Sequence, residues 1–140
     1  MAFSIGQLAS RSGCTPPTIR YYESIGLLAA PLRSEAGRRS YGQADVARLA
    51  FIRRARDFGL GIPQVRDLLA AADAPASACA TARPVVEDHI RDLRARRAEL
   101  KALEADLTAI LDRCDEGCRT GTAADCAIFG EFRLPGRHVK

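Results

Sequence analysis

Four cysteines, Cys79, Cys114, Cys118 and Cys126, lie in the C-terminal half of this chain of 140 residues, and a fifth, Cys14, lies near its start. As thiolates they suit soft or borderline ions such as Zn(II), Cd(II), Pb(II), Hg(II) or Cu(I), and an accessible thiol also answers oxidants and electrophiles. A second concentration of chemistry is cationic. Thr18, Arg20 and Tyr21 stand close together, and Arg33, Arg38 and Arg39 precede Tyr41. Guanidinium groups grip phosphate and guanine edges, while hydroxyls and an aromatic edge add hydrogen bonds and contact area.

The charge distribution supports that reading. The whole chain carries a net charge of only +4. Residues 1–70 hold ten arginines and five acids, whereas residues 71–140 hold eleven basic and twelve acidic residues. Positive charge is thus gathered at the N-terminal end, as a phosphate-binding surface requires. No apolar run approaches the length of a membrane span, and Ser4, Gly6 and Gln7 interrupt any signal-peptide core. The chain is expected to remain in the cytoplasm, where five cysteines are thiols, ligands or sensors rather than structural disulfides.

The elements that would position these groups follow from punctuation and periodicity. Ser4 can cap a helix carrying Ile5 and Leu8 inward, ended by Ser12 and Gly13. Thr15 caps a second, with Pro16 and Pro17 in its first turn, Ile19 and Tyr22 on one face and Thr18, Arg20 and Tyr21 toward the other. Cys14, at the turn between them, reads as a small buried thiol. Residues 27–41, with Pro31 and Gly37, suit a short hairpin edged by Arg33, Arg38 and Arg39. Two helices and a tight turn followed by such a hairpin form a winged helix-turn-helix, a device for gripping duplex DNA. Residues 43–58 and 62–72 read as two further helices that complete a small core, the first decorated by Arg48, Arg53, Arg54 and Arg56.

Residues 73–83 read as an alanine-rich linker carrying Cys79. Residues 84–113 read as one helix of roughly 45 Å, too long to hide on so small a domain. Val86, Ile90, Leu93, Leu100, Leu107 and Leu111 mark a 4-3 stripe that Arg97 and Glu104 interrupt and Leu103 and Ile110 thicken. Pairing with a second copy is the natural way to cover it. Residues 114–133 form a Gly- and Thr-rich loop framed by Cys114, Cys118 and Cys126 and closed by a short helix, and residues 134–140 are a loose tail. His89 and His138 are weak ligand candidates. The expected architecture is therefore mainly α: a winged helix-turn-helix over residues 1–72, a dimerisation helix and a C-terminal thiol loop.

The segments GQLA (6–9), TIRYYE (18–23), RSEAGRRSY (33–41) and FIRRAR (51–56) resemble the MerR family of bacterial transcription regulators, over residues 3–130. The resemblance implies a winged helix-turn-helix, an antiparallel coiled-coil helix and a C-terminal effector loop. It places Thr18, Arg20, Tyr21, Arg33, Arg39 and Tyr41 at DNA-contacting positions. It also implies a homodimer on an over-spaced promoter, where an inducer selects a bent, untwisted duplex that RNA polymerase can read. The cysteine arrangement is similar to that of the metal-sensing branch, in which Cys79 of one subunit would approach the Cys114–Cys126 loop of the other. A cysteine at the Cys79 position accompanies divalent-ion sensing in that branch, where copper(I) sensors carry serine. Eleven residues separate Cys114 from Cys126 and seven separate Cys118 from Cys126, the latter like the copper(I) branch. Cys114, Cys118 or both therefore remain candidates, and four sulfurs together could hold an iron–sulfur cluster.

Three functions follow. The first is a metal-responsive activator, and the second a MerR-like regulator sensing oxidants or electrophiles through Cys114 or Cys118. The third is a metal-buffering or thiol-exchange enzyme without DNA function, which leaves Arg20, Arg33 and Arg39 unexplained. No Ser/His/Asp set, phosphate-cradling loop or paired catalytic carboxylates point to an enzyme.

Overall fold

Local chemistry sets each helix boundary. In the computed structural model, which describes residues 2–33 and 35–133, α1 spans Ile5–Ser12. Its start is a reciprocal box, Gln7 N–H to Ser4 Oγ at 3.2 Å and Ser4 N–H to Gln7 Oε1 at 2.9 Å. Gly13 ends it at φ 73°, a left-handed conformation that side chains resist. Thr15 caps α2, Pro16–Ser24, whose first-turn prolines give up amides that lack helical partners anyway. The wing is a minimal hairpin: β1, Leu32–Arg33, runs antiparallel to β2, Arg39–Ser40, with Arg33 opposite Arg39. Just past β2, Tyr41 and Phe3 exchange backbone hydrogen bonds of 2.7 and 2.9 Å. That pairing fastens the start of the chain to the root of the wing, a link the sequence reading does not contain.

Helices α3, Gln43–Asp57, and α4, Ile62–Asp73, complete the core. Leu8, Ile19, Leu27, Leu28, Tyr41, Leu49, Ile52 and Val65 are fully buried in it. Truncating a residue such as Leu8 to Ala is expected to cost about 2–5 kcal/mol. The arginines that seem merely to decorate α3 do structural work. Arg48 Nε donates to Leu27 O at 2.6 Å, Arg53 to Ser12 O at 3.5 Å and Arg56 to Leu60 O at 2.9 Å. From α4, Arg66 donates to Ile25 O at 2.6 Å. Each satisfies a carbonyl that a helix end or turn leaves without a backbone donor. Part of the N-terminal positive charge is therefore fastening, not phosphate surface.

The linker expected over residues 73–83 is a single 3-10 turn, Pro75–Ser77, that runs straight into α5, Ala78–Gly117. Helix thus begins six residues before Pro84 and passes through it, and it continues beyond Arg113 to Gly117. Ala78, Ala80 and Ala82 are the best helix formers, Arg83 pairs with Glu87 at 2.6 Å, and Val85 packs on the core. These gains offset the one backbone bond that Pro84 removes. His89 serves packing: its Nε2 lies 2.7 Å from Phe58 O.

The chain divides into two units, residues 1–89 and 90–140. In the second, Leu93, Leu100, Leu103, Leu107 and Leu111 stand exposed along α5, and Ile110 is the helix's one buried residue. A loop with the 3-10 turn Ala123–Asp125 leads to α6, Ala127–Phe132. Among the described residues, no helix is long and apolar enough to cross a membrane. The tail at 134–140, with His138, lies outside the described residues.

Candidate functional site

Helix α2 presents its chemistry outward as its periodicity requires. Ile19 and Tyr22 are buried, Arg20 and Tyr21 are exposed, and half-buried Thr18 shares a 2.8 Å hydroxyl contact with Thr15. Between this helix and the wing lies a cleft of about 340 Å³ lined by Arg20, Glu23, Ser24, Ala30, Pro31, Arg33 and Arg39. Three arginines chosen from sequence thus converge on one concavity. Arg33 is steadied by a 3.0 Å bond from its Nη1 to Gly37 O, and Arg39 by an ion pair with Glu23 at 3.4 Å. Arg38 is exposed on the wing beside Gly37.

Tyr41 sits apart from these exposed groups. Its ring is 2% exposed and its hydroxyl donates to Glu23 Oε1, so as packed it braces the interface from within and offers no free edge to a duplex. Burial, with the Glu23 carboxylate beside it, pushes its pKa up to about 12. Glu23 is itself the residue that sequence reasoning passed over. It stands four positions after buried Ile19 and next to Tyr22, so the helical period already turned it inward.

The thiols fall into three situations. Cys14 is half-buried against the core, in line with the packing role expected of it. Cys79 is exposed in the first turn of α5, not in a linker, and Cys114 lies in its last turn, not beyond it. Cys114 and Cys126 lie near enough for each thiol to perturb the other. The backbone N–H groups of Phe129 and Ile128 bond the Cys126 sulfur and hold its thiol below the usual range. Desolvation raises the Cys114 thiol, and the neighbouring Cys126 charge adds to it. Cys118 is exposed one turn on, its N–H bonded to Cys114 O at 3.0 Å.

The loop between them is organised by Asp125. Its Oδ2 accepts from Arg119 N–H at 3.0 Å, Thr120 N–H at 3.2 Å and the Thr120 hydroxyl at 3.4 Å. Arg113 pairs with Glu131 at 3.2 Å, tying α6 to the end of α5. An aspartate closing a Thr/Gly stretch is a turn signal that a cysteine-centred reading overlooks. Among the described residues, no group of three or more His, Cys, Asp or Glu side chains is placed to hold an ion. The neighbouring thiols of Cys114 and Cys126 fit a thiophilic ion by donor chemistry, and one chain supplies no third donor beside them among the described residues.

Fold and site together define a winged helix-turn-helix DNA-binding protein with a thiol pair at the end of a long helix. Residues 3–72 match the MerR HTH family regulatory protein family, and residues 46–110 match the family described as MerR, DNA binding. The HTH-type transcriptional regulator ZntR of Escherichia coli is 35% identical over 140 residues, covering 99% of this chain and 97% of its own. The Heavy metal-dependent transcription regulator 2 of Rhizobium meliloti is 35% identical over 129 residues, covering 92% of this chain and 85% of its own. The transcription regulator PbrR691 from Ralstonia metallidurans, solved with lead(II), superposes with a TM-score of 0.81 at 35% identity, over 93% of this chain and 98% of its own. This chain belongs to the MerR family of helix-turn-helix transcriptional regulators, which are not enzymes.

Proposed function

We propose that the chain acts as a homodimeric transcription activator, cued by a thiophilic divalent ion, Zn(II), Cd(II), Pb(II) or Hg(II), held by cysteines from both subunits. The observation that carries this reading is the neighbouring pair Cys114 and Cys126, close enough for each thiol to perturb the other, at one end of a helix that bears Cys79 at its other end. An antiparallel partner helix, covering the exposed leucines of α5, would bring Cys79 of the partner subunit toward that pair and supply the donor that one chain lacks. The relative from Rhizobium meliloti is heavy metal-dependent and PbrR691 was solved with lead(II), which supports a soft ion as the cue. Bound there, the ion would bias the dimer toward a conformation that distorts its promoter for RNA polymerase, with Thr18, Arg20, Tyr21, Arg33, Arg38 and Arg39 facing the duplex.

Promoter transcription measured across a panel of thiophilic ions tests the proposal. Induction by at least one divalent member is expected, and silence toward all of them rejects it. Copper(I) is the second reading, favoured by the neighbouring pair Cys114 and Cys126, because two thiolates alone satisfy a linear ion. Cys79→Ser separates the two: it should abolish a divalent response and spare a copper(I) response.

A further inference from the structure

We infer that Glu23 is a positioning residue for DNA reading, locking the wing arginine Arg39 and, through Tyr41, the root of the wing to α2. The inference rests on the DNA interface proposed above and adds a residue to it. A cleft serving only to attract phosphate gains nothing from a carboxylate among its guanidiniums, since like charges repel. Glu23 nonetheless lines the same cleft as Arg20, Arg33 and Arg39, with its side chain only 11% exposed. Both of its oxygens are spent on the wing side: Oε1 takes the Tyr41 hydroxyl and Oε2 the Arg39 guanidinium.

Tyr41 transmits the hold, because its backbone is bonded in both directions to Phe3 and its ring is buried in the core. Arg39 keeps most of its five N–H donors for a ligand while Glu23 fixes the orientation of its fork. Glu23 therefore trades phosphate attraction, which is blind to sequence, for a set angle between helix and wing, on which sequence reading depends. Its effect should appear in the ratio of specific to nonspecific affinity rather than in overall affinity.

The test uses the full-length protein, a duplex selected by the wild-type chain from a randomised pool, and a scrambled duplex of equal length. Affinities for both are measured by fluorescence anisotropy over a salt series, alongside thermal melting. Glu23→Gln removes the charge and leaves an acceptor for Tyr41. The expected result is roughly a tenfold drop in the selected-to-scrambled ratio, with scrambled-duplex binding unchanged or tighter. Tyr41→Phe removes the hydroxyl that Glu23 holds, leaves Arg39 in place and should lower the ratio likewise; it decides the matter if Glu23→Gln does not fold. An unchanged ratio in the folded variant, or equal losses on both duplexes that track melting temperature, overturns the inference. Arg20→Ala, run in parallel, tests the interface itself: undiminished binding to the selected duplex would reject that reading whatever Glu23 does.

Discussion

Gly13 is required by its backbone conformation, and the space where a Cβ would stand is filled by the end of a flexible arginine. Its φ of 73° suits only residues that tolerate the left-handed region, and a Cβ placed there would fall 1.7 Å from Arg53 Nη1. Gly13→Ala must therefore pay backbone strain of about 1–2 kcal/mol and displace the arginine that steadies the end of α1, and a clear fall in the melting temperature is expected. Tyr41 gives a pH signature. Its hydroxyl ionises near 10 in an unfolded chain and at about 12 in the fold, so the neutral form is the one the fold favours. The associated stability is complete below pH 10 and lost as pH rises toward 12; Tyr41→Phe should flatten alkaline melting curves over that window, and an unchanged slope would show the hydroxyl to be uninvolved. The roles of Gly13 and Thr15 were legible because turn and cap chemistry is local. The bracing roles of Tyr41 and Glu23 were not, because their bond joins residues eighteen positions apart and exists only once the wing has folded.

At the scale of elements, helix starts were read within a residue or two wherever a cap announced them, as Ser4 and Thr15 do. The start of α5 was misplaced because Pro84 is an ordinary first-turn signal, while three preceding alanines are a weaker cue that the 3-10 turn before them and packing of Val85 made decisive. The arginines of α3 show the same limit, since charge patterning cannot tell a guanidinium bonded to a carbonyl from one facing solvent. The stripe on α5 was legible, being periodic, and its leucines stand exposed in the single chain. If a second copy covers them, Leu100→Glu combined with Leu107→Glu should convert a dimer to monomers in sedimentation experiments while residues 1–89 keep their fold. A double variant that stays dimeric would remove α5 as the interface.

For the whole molecule, the division of labour follows the charge. The basic excess lies in residues 1–70, and the thiol pair lies in the other half of the chain. Binding to the selected duplex should weaken steeply with salt, and Arg20→Ala should cost at least tenfold in affinity and shallow the salt slope by about one. The central claim is that two chains complete one ion site, and mixed dimers test it most directly. One subunit carries Cys79→Ser and the other Cys114→Ser with Cys126→Ser, and Cd(II) is counted by mass spectrometry under non-denaturing conditions. Sulfurs shared between subunits predict one ion in the mixed dimer and none in either parent dimer. An empty mixed dimer, or full loading of the Cys79→Ser parent, would contradict the account.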